Sequence, residues 1–157
     1  MDGICIVPMS KELLEDICKI EEECFSAPWK YDMLVPELSN PSARFFVALF
    51  NGDAAGYCGM YNICGECSMA NIAVLPEYRR RGIADALLKR IEQTAIKENA
   101  EFLTLEVRKS NAAAISLYDS HGFVKVGERK NYYSSPTENA YLMTLYFKEN
   151  RIEYSCN

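Results

Sequence analysis

The sequence contains no long apolar run, and its N-terminal stretch does not have the pattern of a secretory signal. No stretch approaches the roughly 20 consecutive apolar residues that a membrane-spanning helix needs. A secretory signal has a basic segment, an apolar segment and a small-residue cleavage site, and none of these occurs in the N-terminal stretch MDGICIVPMSKELLED. We therefore expect a cytoplasmic protein with no membrane association.

The chain also has fewer positively than negatively charged residues. The chain has 17 Lys and Arg residues against 22 Asp and Glu residues, which gives a formal net charge of −5. Proteins that bind nucleic acid in general usually carry a basic patch on an already basic background. The charge balance therefore argues against a nucleic-acid partner and suits a cationic substrate.

Candidate metal ligands are few. The chain has one histidine, His121, and one CxxC pair, Cys64 and Cys67, whereas a structural zinc site usually needs four ligands. The pair is better explained by a β-hairpin with a type II′ turn at Gly65-Glu66. We interpret His121 as a solvent-facing residue at a helix end, where the helix dipole favours it. We thus expect no metal, and we expect most other cysteines to be buried, reduced thiols: Cys5, Cys18, Cys24 and Cys58.

The length and the hydrophobic content of the chain are those of one compact globular domain. With 157 residues, 49% of them hydrophobic, the chain can bury a substantial core. It contains no repeat or linker, so we predict one α/β domain over residues 1–157 around a mixed sheet. Periodicity predicts strands at 3–8, 43–50, 54–64, 67–75, 101–109, 123–133 and 140–148. It predicts helices from Ser10, as N-cap, to Cys24, over 30–39, over 81–98, and from Ser110 or Asn111 to Gly122.

The junction between a strand and a helix in NIAVLPEYRRRGIADALL, residues 71–88, predicts an anion site. The first turn of a helix leaves backbone N–H groups unpaired, and the helix dipole adds positive charge there. Gly82 allows the backbone to approach a ligand closely. The stretch matches neither GxxxxGK[ST] nor GxGxxG, so it is not a Walker or Rossmann loop. A solvated basic helix start, a nuclear import patch and a nucleic-acid contact remain as alternatives.

The segment RRRGIA, Arg79 to Ala84, resembles the [RQ]-x-x-G-x-[GA] pyrophosphate loop of the Gcn5-related N-acetyltransferases (GNAT family), which bind acetyl-coenzyme A. The motifs NIAV and LEVRKSNAAAISLYDSHGF follow the order of that family over residues 71–123. Ala84 stands where many relatives have glycine. The resemblance implies the GNAT fold, a mixed and mostly antiparallel sheet of about seven strands flanked by about four helices.

The resemblance also implies a set of contacts to acetyl-coenzyme A. Backbone amides from Arg80 to Asp85 would hold the pyrophosphate. The strand edge at Ile72–Val74 would bind the pantetheine arm, and the N–H of Val74 would polarise the thioester carbonyl. The implied contacts are Ile72, Ala73, Val74, Arg79, Arg80, Arg81, Gly82, Ile83, Ala84, Asp85 and Asn111.

Three further segments, CFSAPW, LEVRKSNAAAISLY and RKNYY, are similar to the RimI family of bacterial ribosomal-protein-alanine N-acetyltransferases. That family acetylates the N-terminal alanine of protein eighteen of the small ribosomal subunit, and the resemblance implies this peptide as acceptor. It also implies Glu106 as general base and Tyr118 as general acid. Trp29, Tyr132 and Tyr133 are candidate walls of the acceptor site.

The residues alone leave alternatives open. Without the resemblance, Glu106 is a surface glutamate on a half-exposed strand, and Tyr118 is one core aromatic among ten tyrosines. The acceptor can also be another protein N-terminus, a lysine or a small amine. A non-catalytic module that binds acetyl-coenzyme A is a further alternative. The oligomeric state is open, and a monomer is compatible with the sequence.

Overall fold

The computed structural model describes residues 3–147, and its seven strands form one sheet in the order β1-β2-β3-β4-β5-β7-β6. Only β4 and β5 run parallel, so the predicted mixed and mostly antiparallel sheet is confirmed. The strands are β1 Ile4–Pro8, β2 Ala43–Phe50, β3 Asp53–Ile63, β4 Glu66–Val74, β5 Phe102–Arg108, β6 Val124–Tyr133 and β7 Glu138–Tyr146. The helices are α1 Leu14–Cys24, α2 Tyr31–Leu34, α3 Ile83–Lys97 and α4 Ala112–Ser120.

The helices cover both faces of the sheet and create two cores. Alternation along β3 shows the division, because Tyr57 and Cys58 are both fully buried but face opposite sides. Cys58 belongs to the core beneath α3 and α4, and Tyr57 belongs to the core beneath α1 and α2. In the described part of the chain, no helix is both long and apolar enough to cross a membrane.

Two of the predicted helices begin or end at other residues in the structure. The predicted helix over 30–39 is instead α2 followed by a 3₁₀ turn over Val35–Leu38, because Pro36 has no N–H to donate to an α-helical ladder. The side chain of Ser10 makes no capping hydrogen bond, so that prediction is wrong. Ser10 precedes a 3₁₀ turn over Lys11–Leu13, and the α-helix begins only at Leu14.

The hairpin that joins β3 and β4 is confirmed, but its turn lies one residue earlier than predicted. Ile63 pairs with Glu66, so the two turn residues are Cys64 and Gly65. Both have positive φ, 54° and 86°, as a type I′ turn requires. Of the cysteines expected to be buried, Cys58 is buried, Cys18 and Cys24 are half-buried, and Cys5 is exposed, contrary to the prediction.

A separation of β4 from β5 is the feature of the fold that makes room for a site. Their parallel pairing ends at Ser68 and Thr104. On its other edge β4 carries a bulge, because Met69 and Asn71 pair with consecutive residues of β3 and leave Ala70 unpaired. Beyond this point no strand within residues 3–147 pairs with β4 on its β5 side, so its backbone faces an open cleft. Residues 148–157, including the tail to which no role is assigned, lie outside the described residues.

Candidate active site

The space between the separated ends of β4 and β5 is a cleft of about 760 Å³. Loop 25–29, the first turn of α3, α4 and the end of β6 complete its walls. Most of the predicted site residues meet here: Trp29, Ile72, Ala73, Val74, Arg79, Ala84, Glu106, Asn111, Tyr118, Tyr132 and Tyr133. Arg80, Arg81, Gly82, Ile83 and Asp85 do not line it, and they form the turn and helix start beside one end.

The backbone of Val74 points into the cleft. The N–H of Leu75 donates to the carbonyl of Ala55 on β3 at 2.8 Å. Because hydrogen-bonded and non-hydrogen-bonded pairs alternate along antiparallel strands, the neighbouring pair of Val74 and Gly56 is of the second kind. Val74 therefore turns its N–H and C=O away from β3, and Ile72 does the same one pleat earlier. This strand edge can accept an extended ligand.

The carbonyl of Val74 is already engaged by side chains. Arg79 donates to it from Nε at 3.0 Å, and the Cys24 thiol donates from Sγ at 3.5 Å. The side chain of Arg79 thus ties the turn before α3 to the end of β4. The N–H of Val74 is the group of this residue that remains available to a ligand in the cleft.

The turn before α3 has the geometry of an anion site. Arg80 and Gly82 have positive φ, 62° and 80°, and Gly82 is the N-terminal cap of α3. A Cβ added at Gly82 would meet nothing within 4 Å, so open space lies beside the exposed backbone. The guanidinium of Arg81 stacks on the Phe50 ring at 5.1 Å, while the side chain of Ile83 is buried in the core. Only the backbone of Ile83 can therefore face a ligand.

His121 is not solvent-facing, contrary to the prediction. Its side chain is 8% exposed because it is enclosed by two carboxylates of α3. Nε2 lies 2.7 Å from Asp85, and Nδ1 lies 3.0 Å from Glu92. Burial raises the pKa of Glu92 above its usual value. Burial has the same effect on Asp85, but the hydrogen bonds from Lys89 and His121 outweigh this effect, so the pKa of Asp85 lies below its usual value. His121 thus ties the end of α4 to α3. Within residues 3–147, no group of three or more His, Cys, Asp or Glu side chains is arranged so that it could hold a metal ion.

Glu106 lies on β5 with its side chain 25% exposed to the cleft. Its Oε1 is 3.4 Å from Nε of Arg129 on β6, whose side chain is 55% exposed. An ion pair this open to solvent is worth about 0–1 kcal/mol. A positively charged ligand can therefore replace Arg129 beside Glu106 at little cost.

Tyr118 lies on α4, is 5% exposed and packs against Phe123 at a ring separation of 5.6 Å. Burial raises the pKa of its hydroxyl above the usual value, so the group stays protonated at neutral pH. Among residues 3–147 no hydrogen bond to the Tyr118 hydroxyl is seen and no buried side-chain oxygen lacks a partner, so this hydroxyl opens to the cleft. Asn111 caps α4 as predicted, because its Oδ1 accepts from the N–H of Ala114 at 3.2 Å.

The end of β6 is held by Arg108 of β5. Its guanidinium donates to the carbonyls of Ser134 and Pro136 and to Glu138. The same guanidinium lies 4.4 Å over the ring of Tyr133, and burial raises the pKa of that phenol to about 12. Tyr133 is therefore a fixed, neutral wall, whereas Tyr132 stands at a right angle to it and is 50% exposed.

Sequence reasoning missed Glu21, which lines the cleft although it is only 1% exposed. Its neighbours in the cleft include the equally unanticipated Cys24, Asn71 and Arg108. A signal for Glu21 was present. It lies four residues after Ile17 and three before Cys24, on the apolar face of α1, where a carboxylate is out of place unless it has partners.

Comparison with known proteins decides the family. The model of the acetyltransferase (GNAT) family matches residues 14–123, which include every wall of the cleft except the ends of β6 and the following loop. The chain belongs to the GNAT family. Members of this family use acetyl-coenzyme A, and this chain is an N-acetyltransferase similar to RimI.

Individual relatives cover most of the chain. The [ribosomal protein bS18]-alanine N-acetyltransferase of Escherichia coli K12 is 37% identical over 130 residues, covering 80% of this chain and 86% of that protein. An N-alpha-acetyltransferase of Sulfurisphaera tokodaii is 38% identical over 144 residues, with coverages of 83% and 85%. The crystal structure of the E. coli ribosomal-protein-S18-alanine N-acetyltransferase superposes with a TM-score of 0.84 at 32% identity, covering 91% and 93%. The predicted GNAT fold is thereby confirmed.

Proposed function

We propose that this acetyltransferase transfers the acetyl group of acetyl-coenzyme A to the N-terminal alanine of ribosomal protein bS18. The observation that carries the proposal is the cleft between β4 and β5. It combines a carboxylate, Glu106, a protonated phenol, Tyr118, and the outward-facing backbone of Val74. The identity to bS18-alanine N-acetyltransferases over most of the chain supports this choice of acceptor.

The residues at one end of the cleft fit acetyl-coenzyme A. The open space beside Gly82 and the start of α3 suit the pyrophosphate, and Arg79 to Asp85 with Asn111 are the proposed contacts. The edge of β4 at Ile72, Ala73 and Val74 suits an extended pantetheine arm. Acetyl-coenzyme A supplies the activated acetyl group, and the Val74 N–H donates to the carbonyl oxygen of that group.

Glu106 serves as general base. An α-amino group has a pKa near about 8, so much of it is protonated at neutral pH and cannot attack. The ammonium takes the place of Arg129 beside Glu106, which accepts its proton directly or through a water molecule. The freed amine then attacks the acetyl carbonyl carbon.

Tyr118 serves as general acid. The departing thiolate belongs to a thiol with a pKa near about 8.5. Because burial keeps the Tyr118 hydroxyl protonated, this group can donate its proton to the sulfur as the carbon–sulfur bond breaks. The nitrogen, which is positively charged after the attack, gives up its second proton to solvent, and Glu106 and the Tyr118 phenolate return to their starting protonation states by exchange with solvent. The reaction then ends with a free thiol and an acetylated N-terminus.

The acceptor end of the cleft suits a short first residue. Trp29, Tyr132 and Tyr133 wall it, and Arg108 fixes Tyr133, so a bulky first side chain would clash. The net charge of −5 favours basic residues further along the peptide. That attraction should weaken as salt screens it. A ribosomal protein as acceptor also implies a cytoplasmic enzyme.

The test compares two forms of one peptide. The first is an alanine-first bS18 peptide with its lysines blocked, and the second is the same peptide with a blocked N-terminus and one free lysine. We expect faster acetylation of the first, because a lysine with a pKa near about 10.4 gives up its proton far less readily. Faster acetylation of the second would contradict the proposal and favour a lysine acceptor.

A further inference from the structure

A buried carboxylate joins the two halves of the cleft. Glu21 projects from α1 into the sheet and is 1% exposed, and burial raises its pKa above the usual value. Burying a carboxylate is costly unless hydrogen bonds replace its water shell. Its partners therefore indicate what the position accomplishes.

Three donors from three segments of the chain meet at Glu21. The hydroxyl of Tyr57 on β3 and Nδ2 of Asn71 on β4 both donate to Oε1, the latter at 2.9 Å. The backbone N–H of Trp29 donates to Oε2 at 3.1 Å. One oxygen thus holds the sheet and the other holds loop 25–29.

The hydrogen bonds of Glu21 connect two parts of the cleft wall, namely β4 and loop 25–29. Asn71 follows the bulge at Ala70, where β4 begins to part from β5. Trp29 ends the loop that walls the acceptor side, and its ring packs on Phe45 at 6.3 Å. The loop is therefore held at the Trp29 backbone by Glu21 and at the Trp29 ring by the core.

We infer that Glu21 is a positioning residue for the acceptor, which holds loop 25–29 against β4 and so sets the shape of the acceptor end of the cleft. The inference rests on the proposed function, because it assigns that end of the cleft to the acceptor. Glu21 does not exchange protons with the substrate. It acts through Trp29.

Replacement of Glu21 by Met removes both acceptor oxygens and keeps a side chain of similar length. Glutamine would not separate the two sides of the network, because the Tyr57 hydroxyl can accept from its amide nitrogen while its oxygen keeps the Trp29 N–H. In Glu21→Met, Nδ2 of Asn71 can still donate to the Tyr57 hydroxyl, 3.2 Å away, whereas the Trp29 N–H loses its acceptor. Glu21→Met should therefore release the loop and leave β4 in place.

Fluorescence reports on the loop without any assay of activity. Trp29 is the only tryptophan of the chain. We expect Glu21→Met to shift its emission to longer wavelength and to increase quenching by acrylamide. Glu22→Gln, an equal change of charge at the next and exposed position of α1, should leave both as in the wild type. In the wild-type protein, saturating alanine-first peptide should reduce the quenching, a measurement that needs no variant.

Steady-state kinetics completes the test. Loss of a hydrogen bond to a charged group is worth about 1.5–3 kcal/mol, so Glu21→Met should raise the acceptor KM by about tenfold or more. The preference for alanine over leucine as first residue should fall, with kcat and the acetyl-coenzyme A Kd unchanged. Wild-type KM, first-residue preference and quenching in a folded Glu21→Met variant would overturn the inference. So would quenching of the wild-type protein that a peptide it acetylates does not alter.

The two proposals fail in different ways. If the wild-type protein does not acetylate the alanine-first peptide, the proposed function is wrong, and the quenching of Glu21→Met against Glu22→Gln still decides whether Glu21 holds the loop. If the wild-type protein acetylates that peptide and Glu21→Met behaves like Glu22→Gln, the positioning role alone is wrong.

Discussion

The two ends of the cleft are built in different ways. The end proposed for acetyl-coenzyme A consists of backbone, with the outward edge of β4 and the open space beside Gly82 at the start of α3. The acceptor end consists of side chains held by other side chains. Glu21 fixes loop 25–29, and Arg108 fixes the loop after β6.

This difference indicates what each end can recognise. A site made of backbone donors in consecutive residues stays intact when many of the side chains in that segment are substituted. Such a site suits a cosubstrate that is common to a whole family. A wall held by long-range hydrogen bonds can change shape with one substitution, which suits an acceptor that differs between relatives. The two ends should therefore fail independently when mutated.

Gly82→Asp should have the largest effect, and only at the backbone end. It places a negative side chain in the open space beside Gly82 and forces a φ of 80° on a residue with a Cβ. We expect the acetyl-coenzyme A Kd to rise by roughly a hundredfold or more, measured by titration calorimetry. Gly52→Asp is the matched control, because Gly52 has a φ of 91° and equally open surroundings in the β2–β3 hairpin. Equal Kd values for the two variants would contradict the assignment.

Glu106→Gln should act on the chemical step. We expect the rate to fall by roughly 10²–10⁴-fold, the usual effect of losing a positioned base, with little change in acetyl-coenzyme A affinity. The deficit should shrink at high pH, because the amine is then already neutral. Glu128→Gln, which removes a carboxylate paired with Lys109 on the surface, is the control. Wild-type turnover of Glu106→Gln at pH 7 would show that Glu106 is not the base.

Tyr118→Phe should have a smaller effect on the same step. The ring and its packing on Phe123 remain, and the thiolate is a fair leaving group, so we expect roughly a 10²-fold loss of kcat. Tyr146→Phe, at a half-exposed position of β7, controls for loss of a hydroxyl. A drop of stability without a drop in the rate per folded molecule would identify Tyr118 as a core residue only.

The smallest effect concerns the pH dependence of stability at the acceptor end. Burial raises the pKa of Glu21 in the folded state, so the folded protein holds this proton more tightly than the unfolded chain does. The contribution of Glu21 is therefore fully present below its unfolded pKa, near about 4.3, and is lost as pH rises through the folded pKa. Urea unfolding at several pH values should show the stability of the wild type falling relative to Glu21→Gln across that interval. A constant difference would contradict the shift.

The same difference explains what could be predicted from the sequence. The strands, the main helices and the position of the glycine turn before α3 depend on neighbouring residues, so periodicity and the segment Arg79–Ala84 were sufficient to predict them. The bond from Asn71 to Glu21 spans 50 residues, and no local pattern contains both partners. His121 was placed in solvent for a similar reason, because Asp85 and Glu92 lie on another helix.

The most direct test of the proposed reaction uses one peptide that offers both amines. A bS18 N-terminal peptide with a free alanine amine and one free internal lysine is incubated with the enzyme and acetyl-coenzyme A. Fragmentation in a mass spectrometer then locates the acetyl group. We predict that it lies on the N-terminal alanine and that Glu106→Gln slows its appearance. Acetylation mainly of the lysine, in a reaction that needs Glu106, would contradict the assignment of this enzyme as an N-terminal acetyltransferase.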